Sequence, residues 1–320
     1  MREVAFELRL CTHLEARPGV VARQLGASVG DARRVVDVVH VEPGPGFDDR
    51  VALAADTVPP AAVEADASVA TWRPETDVID LPPERAHVVA ERAAEVGFFE
   101  RTVRDGEAVV RRAARYPDWV GGLLGVENKP DLGAPGDLET QLRKDVSLGL
   151  LDRVVLATES YVTRAHLNRI PEAVGVWRVD HDAADPIEVV REPVPLDGGD
   201  GGMQVVERQP GRTDVRPVDA GTLARERVRV AERAYGKGWR PADAPPCARA
   251  TTADVAGTTL PACDWKDRLV DPSAECGPDC AGFEAAAAPA YAPEDERARR
   301  TAWRPEAGAA REQAGLDRFR

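Results

Sequence analysis

The chain has 320 residues and a formal net charge of −13, with 55 acidic residues against 42 lysines and arginines. Its pI is near 5.0. It has no apolar run of the roughly 18 residues that a membrane-spanning helix requires, and its first residues lack the pattern of a secretory signal peptide. These features argue against a membrane or secreted protein. We expect a cytoplasmic protein with one sizeable core and a smaller appendage.

The acidity has an environmental interpretation. Four of the basic residues are lysines, namely Lys129, Lys144, Lys237 and Lys266, and the rest are arginines. This composition resembles that of proteins from extreme halophiles, in which an acidic surface maintains solubility in concentrated salt. Because such salt also weakens contacts with phosphates, DNA binding would depend on a metal ion, on shape and on non-ionic contacts.

The first 43 residues predict one helix and two strands. Residues 2–15 have apolar side chains at helical spacing, residues 20–25 form a short strand and residues 33–41 a longer, β-branched one. A single acid, Asp37, interrupts the second strand. A carboxylate there is costly to bury unless it is paired or bound to a metal ion, so Asp37 is a candidate site residue. The alternative is a side chain near a strand end that reaches solvent.

Residues 43–120 interrupt the predicted sheet. Within them, residues 83–99 have helical spacing, and residues 100–116 predict a hairpin around Asp105-Gly106, a strong turn signal. A helix followed by a two-stranded ribbon is compatible with a winged-helix DNA-binding module. A helix and hairpin that pack on the core would explain the same pattern.

Residues 122–128 predict a buried strand that ends before Pro130, because proline cannot donate to a sheet ladder. Successive side chains of a strand face opposite sides, so Glu127 and Lys129 should share a face. A lysine is retained here in a chain that mostly uses arginine, and an ammonium differs from a guanidinium in reach and hydration. Glu127 and Lys129 are therefore candidate catalytic residues.

The segment after this strand completes an α/β pattern. It predicts a helix at 138–151 with Asp137 as N-cap, a strand at 153–157, a helix near 161–168, and strands at 173–179 and 187–190. Gln141 lies off the apolar stripe of the first of these helices. The order predicts an α/β fold with a mixed sheet flanked by helices.

The C-terminal third predicts three further segments. Residues 196–222 contain Gly-Gly-Asp-Gly-Gly and predict a linker. Residues 223–283 predict a charged helix followed by a small cysteine module. Residues 284–320, rich in Ala, Arg, Glu and Pro, predict a disordered or weakly helical tail.

Four of the five cysteines cluster in the predicted module, at Cys247, Cys263, Cys276 and Cys280. In a cytoplasmic protein this clustering favours a metal site over a disulfide framework. Thiolates bind Zn²⁺ or an iron-sulfur cluster, and unliganded thiols are the third interpretation. The five histidines show no metal-ligand spacing, and we interpret them as ordinary surface or core residues.

Taken together, these residues resemble the PD-(D/E)XK nuclease superfamily, the restriction-endonuclease-like fold that also contains Holliday-junction resolvases and RecB-type nucleases. The matching residues are Glu7 in the first helix, Asp37, Glu127-Asn128-Lys129 on the next core strand, and Gln141 on the following helix. The resemblance spans residues 1–195, including the insertion. The whole chain also looks like a haloarchaeal family of unknown function.

The resemblance implies a Mg²⁺ or Mn²⁺ ion held by Asp37 and Glu127, which would polarise the scissile phosphate and orient a hydroxide. Lys129 would neutralise charge on the phosphoryl oxygens or orient the attacking water. Glu7 would complete the metal shell, and Gln141 would position the backbone or a water. The implied partner is DNA, and a homodimer is compatible with this fold.

Several residues depart from the superfamily pattern. Asp145 stands four residues after Gln141, where RecB-type enzymes have a tyrosine, and Val36 stands where the superfamily's proline would be. Glu15 competes with Glu7 for the helix position. The alternative to a metal-dependent nuclease is therefore a non-catalytic DNA-binding protein on a degenerate nuclease fold. A nucleotide-handling or tRNA-processing role is neither supported nor excluded.

Overall fold

The computed structural model describes residues 3–29, 32–53, 56–133, 136–196, 202–209 and 212–303. The chain divides into two compact units. The first contains the residues up to Pro43 together with Val120–Thr301, and the second contains Gly44–Trp119 together with the end of the chain from Ala302. None of the helices in the described ranges has the length and apolar character needed to cross a bilayer.

The strands, in chain order, are β1 (Val20–Val29), β2 (Ala32–Pro43), β3 (Arg73–Pro74), β4 (Phe99–Arg104), β5 (Glu107–Arg112), β6 (Val120–Asn128), β7 (Arg153–Thr158), β8 (Gly175–Val179), β9 (Ile187–Arg191), β10 (Gly202–Gln209), β11 (Arg212–Val218), β12 (Ala250–Val255), β13 (Thr258–Cys263) and β14 (Arg268–Leu269). The helices are α1 (Glu3–Glu15), α2 (Phe47–Leu53), α3 (Pro60–Glu64), α4 (Glu75–Val78), α5 (Pro83–Glu95), α6 (Leu138–Leu148), α7 (Arg164–Leu167), α8 (Ala220–Lys237), α9 (Pro272–Glu275) and α10 (Pro293–Arg300).

The first unit is built on a six-stranded mixed sheet in the order β1-β2-β6-β7-β8-β9. Strand β2 pairs antiparallel with both β1 and β6. Strands β6, β7 and β8 are parallel to one another, and β9 is antiparallel to β8. Parallel strands need a crossover connection, which α6 provides between β6 and β7 and α7 between β7 and β8. The predicted mixed sheet flanked by helices is confirmed.

Helix α1 covers one face of this sheet. Its apolar side chains, among them Phe6 and Leu8, are fully buried against Val38 of β2 and Val126 of β6. Val38 and Val126 are directly opposite each other in the register, so they share this face. Glu127 follows Val126 and therefore points to the opposite face.

β2 and β6 separate at one end of their ladder. Within the described residues their last pair is Val38 with Val126, while β2 continues to pair with β1, and β6 continues to pair with β7 as far as Asn128. Asp37 and Glu127 are the next residues on the two strands. The fold thus places both carboxylates where the hydrogen bonding between β2 and β6 ends.

The second unit has a core of its own around α5 and the sheet β3-β5-β4. Its fully buried side chains include Ala86, Phe98 and Val110. The β4–β5 hairpin turns at Asp105 and Gly106, whose φ angles of 52° and 83° lie in the left-handed region that a tight hairpin turn requires. The predicted helix-hairpin insertion is confirmed, and its winged-helix interpretation stays a prediction.

The structure has a hairpin where the sequence predicts a linker at residues 196–222. β10 and β11 pair antiparallel, with Gly202 opposite Val218. Residues 197–201 and 210–211 lie outside the described residues. The valines of this segment favour an extended chain, and the glycine-rich run before it obscures that signal in the sequence.

The region predicted as a separate cysteine module belongs to the first unit. β12, β13 and β14 form a three-stranded sheet, and its Leu260 and Leu269 lie in the same core as α1. The predicted tail at residues 284–320 contains α10, from which Arg300 Nε donates to Glu15 Oε2 at 3.1 Å. Residues beyond 303 lie outside the described ranges.

Candidate functional site

Three of the predicted site residues converge where β2 and β6 separate. Asn128 Nδ2 donates to Glu7 Oε2 at 2.8 Å, and the backbone N–H of Asn128 donates to Asp37 Oδ2 at 3.0 Å. Gln24 Nε2 lies 2.7 Å from Glu7 Oε2 and 3.4 Å from Asp37 Oδ1. Asp37 connects the carboxylates on the two faces of the sheet, because its charge acts both on Glu7 and on Glu127. We call Glu7, Asp37 and Glu127 the carboxylate cluster.

Gln24 joins two members of the carboxylate cluster from an unusual backbone conformation. Its φ is 50°, in the left-handed region, and it falls between the paired positions Arg23 and Leu25 of the β1–β2 ladder. The ammonium of Lys237 donates to its carbonyl at 2.6 Å. A non-glycine residue in this conformation costs on the order of 1 to 3 kcal/mol and needs support from its surroundings. Here that support aims the side-chain amide at both carboxylates.

Arg34 of β2 connects Glu127 to α6. Its Nε donates to Asp145 Oδ1 at 2.7 Å and its Nη2 to Asp145 Oδ2 at 3.1 Å, the bidentate geometry of a strong arginine–carboxylate pair. The same Nη2 forms a salt bridge with Glu127 Oε2. The side chains of Arg34, Glu127 and Asp145 are 11%, 8% and 2% exposed, so these interactions lie inside the protein.

The electrostatics of the carboxylate cluster are dominated by negative charge. Asp145, Glu127 and Asp37 all act on the Arg34 guanidinium. Burial, and after it the charge of Asp37, raises the pKa of Glu127 to about 8, although Arg34 lowers it. Burial also raises the pKa of Asp37 and that of Asp145. The buried Glu127 carboxyl therefore takes up a proton more readily than an ordinary glutamate does.

Of the two glutamates that compete for the α1 position, Glu7 faces the carboxylate cluster. Burial raises the pKa of Glu7, and the charge of Arg23 opposes this. Arg23 Nη1 lies 2.8 Å from Glu7 Oε1, and Arg23 also forms a salt bridge with Asp271. Glu15 instead pairs with Arg240, whose Nη1 lies 2.7 Å from Glu15 Oε1.

Lys129, two residues after Glu127, and Gln141 of α6 are half-buried. The backbone N–H of Lys129 donates to Ala157 O at 2.9 Å, which continues the pairing of β6 with β7. Within the described residues the Lys129 ammonium makes no hydrogen bond or salt bridge. Gln141 lies one turn before Asp145, so the two residues share a face of α6. Among the residues that the structure describes, neither the Lys129 nor the Gln141 side chain forms a hydrogen bond with the carboxylate cluster.

For a divalent metal ion, the site offers Asp37 and Glu127. Among the described residues no three His, Cys, Asp or Glu side chains are arranged to hold a metal ion. Mg²⁺ commonly uses one or two protein carboxylates and completes its shell with water and substrate phosphate. Asp37 and Glu127 are a carboxylate pair of this kind, because they follow the last β2–β6 pair on adjacent strands and the charge of Asp37 acts on Glu127.

A cavity of about 320 Å³ lies at the N-terminal end of α6, where Asp137, His166 and Arg169 contribute to its lining. None of the five predicted catalytic residues lines it.

The histidines also stay apart from the carboxylate cluster. His13 Nε2 lies 3.1 Å from His181 Nδ1, and burial lowers the pKa of both rings, that of His181 to about 4. Both rings are therefore neutral at pH 7.

Gln24, Arg34 and Asp145 complete the site, and the sequence pattern does not predict them. Asp145 is visible in the sequence only as a departure from the RecB-type pattern. Arg34 carries a usable signal, because an arginine in a β-branched strand near Asp37 needs an acidic partner if it is buried. Gln24 carries none, since a left-handed φ at a glutamine is not encoded in residue spacing.

Comparison with known families adds one finding. The model of a family described as Family of unknown function (DUF5787) matches residues 20–285. The chain belongs to this family. The DUF5787 match includes Asp37, Glu127, Lys129 and the four clustered cysteines, and it begins after α1, which carries Glu7. No curated protein and no solved structure matches the chain.

Proposed function

We propose that this DUF5787 protein is a metal-dependent nuclease that hydrolyses DNA phosphodiester bonds, in repair or in restriction of foreign DNA. The observation that carries the proposal is a group of buried carboxylates from one helix and two strands: Glu7 and Asp37 both accept from Asn128, and the charge of Asp37 also acts on Glu127. A buried group of carboxylates is costly to maintain. A fold that retains one favours a binding or catalytic role. The resemblance to the PD-(D/E)XK superfamily supports the same function.

The charges around Arg34 favour a divalent cation. Asp37, Glu127 and Asp145 carry three negative charges when ionised, and Arg34 offsets one of them. A divalent ion held by Asp37 and Glu127 would offset the other two. Bound there, it would polarise the scissile phosphate and lower the pKa of a water molecule.

The protein's own side chains would orient the reactants. Glu7 accepts from the side-chain amides of Asn128 and Gln24 and so holds the two residues that donate to Asp37. Lys129 would stabilise negative charge on the phosphoryl oxygens, since its ammonium has no partner among the described residues. Gln141 would position a water or the DNA backbone.

Cleavage of labelled single-stranded, duplex and branched DNA in concentrated KCl with Mg²⁺ or Mn²⁺ tests this proposal. We expect metal-dependent cutting by the wild type and a loss of about 100-fold or more for Glu127→Gln and for Lys129→Ala. Glu139→Gln is the control, because Glu139 is an exposed carboxylate of α6 paired with Arg143. No cutting of any substrate by the wild type would overturn the proposal.

A second candidate function is a non-catalytic DNA-binding protein on a degenerate nuclease fold. The salt bridge between Arg34 and Glu127 favours it, because the guanidinium contacts a carboxylate that a metal ion would need. In this case DNA would bind equally well with and without Mg²⁺, and Glu127→Gln would keep the wild-type affinity. Fluorescence anisotropy with labelled DNA measures both quantities.

A further inference from the structure

The four cysteines of the C-terminal region line one cavity. Cys247 and Cys263 are buried, Cys276 and Cys280 are half-buried, and all are free thiols. They come from separate elements, since Cys247 precedes β12, Cys263 ends β13, and Cys276 and Cys280 follow α9. Side chains from three parts of the chain are thus brought to one space.

The backbone around Cys247 provides donors to its sulfur. The N–H groups of Arg249 and Glu284 lie 3.4 Å and 3.5 Å from Cys247 Sγ. A β-bridge between Cys247 and Ala285 holds the backbone of the neighbouring Glu284 in place. Such donors favour a thiolate over a neutral thiol, and the thiolate is the form that binds metal ions.

The remaining properties of the cavity suit a single ion. Its volume of about 20 Å³ holds roughly one water-sized sphere. Lys266 and Arg249 also line it. Each is paired with a carboxylate, Lys266 with Glu275 and Arg249 with Glu284.

We propose that Cys247, Cys263, Cys276 and Cys280 bind one structural Zn²⁺ ion in a tetrahedral site. Zinc sites of this kind accept two to four residues between paired cysteines, and three separate Cys276 from Cys280. Each thiol would give its proton to solvent as its Zn–S bond forms. The zinc site is independent of the proposed nuclease activity, because no residue of the carboxylate cluster takes part in it.

Formation of the site requires a small closure of the loop after α9. Within the described residues no three donors already have the geometry of metal ligands. Gly277 lies between Cys276 and Cys280, and a Cβ atom added there would meet no atom within 4 Å.

Elemental analysis of the purified full-length chain tests this site. We expect one zinc per chain in the wild type and less than about one-tenth of that in Cys276→Ser and in Cys280→Ser. The reason is that a tetrahedral site loses most of its affinity for zinc when one of its four ligands is removed. Cys11→Ala is the matched control, since Cys11 is the buried cysteine of α1. It should retain one zinc.

A second measurement does not depend on the folding of the variants. After removal of bound metal, wild-type protein titrated with Co²⁺ should develop thiolate-to-cobalt charge-transfer bands and the d–d bands of a tetrahedral site, saturating at one cobalt per chain. Wild-type protein with no bound metal and no response to Co²⁺ would overturn the proposal. Iron and sulfide in place of zinc, or a disulfide between Cys276 and Cys280, would also overturn it.

Discussion

At the residue scale, Glu127 and Asp145 share one guanidinium unequally. Arg34 donates two hydrogen bonds to Asp145 and forms one contact with Glu127. Glu127 also lies near Asp37, whose charge adds to the effect of burial and raises the pKa of Glu127 to about 8. Its protonation state therefore depends on whether a further cation is present.

The metal-free protein should lose stability as pH rises from about 4.5 to about 8. The pKa of Glu127 is about 8 in the fold against an ordinary 4.5, so folding favours its protonated form, and that contribution disappears as the pH passes through the folded value. Urea unfolding at several pH values, without Mg²⁺ or Mn²⁺, should show the wild type losing on the order of a few kcal/mol relative to Glu127→Gln. Parallel pH profiles for the two proteins would contradict this prediction.

Arg34→Met should destabilise the metal-free protein by about 3 to 5 kcal/mol at pH 7, because it leaves the buried Asp145 without its bidentate partner. Mg²⁺ or Mn²⁺ should restore more stability to this variant than to the wild type, since the ion no longer competes with a guanidinium. Urea unfolding with and without the metal ion measures both effects. Arg143→Met, which breaks the exposed pair with Glu139, is the control and should cost no more than about 0.5 kcal/mol. Equal losses would be inconsistent with the buried pairing.

At the element scale, Arg23 connects α1, β1 and α9. It pairs with Glu7 of α1 and with Asp271, the N-cap of α9. Asp271 Oδ1 accepts from the N–H of Ser273 at 3.1 Å. Helix α9 ends directly before Cys276, so the same short helix adjoins both the carboxylate cluster and the proposed zinc site.

Asp271→Asn should destabilise the protein by about 3 kcal/mol, because Arg23 loses one of its two buried partners while asparagine still caps α9. Urea unfolding measures the loss. Asp219→Asn alters the exposed N-cap of α8, and this matched control should stay close to the wild type. If the two variants had similar free energies of unfolding, the Arg23–Asp271 pair would make no measurable contribution to stability.

At the scale of the whole molecule, the net charge of −13 governs the response to salt. Like charges repel across the folded surface, and their repulsion is screened as the Debye length falls from about 10 Å at 0.1 M to about 3 Å at 1 M salt. Exposed pairs such as Arg143–Glu139 weaken over the same range, but each contributes little.

The melting temperature should therefore rise as KCl increases from about 0.1 to 1 M at pH 7, because net repulsion outweighs the exposed ion pairs. Differential scanning calorimetry measures the change. The rise should shrink near pH 5, close to the pI of 5.0, where the net charge approaches zero. A melting temperature that falls with KCl at pH 7 would show that attractive pairs dominate.

The sequence by itself determined the parts of the molecule that depend on neighbours along the chain. Helical spacing identified α1 and α5, the β-branched run identified β2, and Asp105-Gly106 located the β4–β5 turn. Asp37 was identifiable as a candidate site residue, because a carboxylate in a β-branched strand is costly to bury without a partner. Glu127 was identifiable as a candidate through its spacing to Lys129.

Only the tertiary structure decided which residues meet and how they are paired. Arg34 and Asp145 are 111 residues apart, and Glu7 and Asn128 are 121 apart. Their contacts depend on the register of β2 and β6 and on where those strands separate, which local spacing does not encode. The left-handed φ of Gln24 and the hairpin at residues 202–218 also belong to this class. Periodicity specifies which side of an element is buried, whereas packing among distant elements specifies the partner.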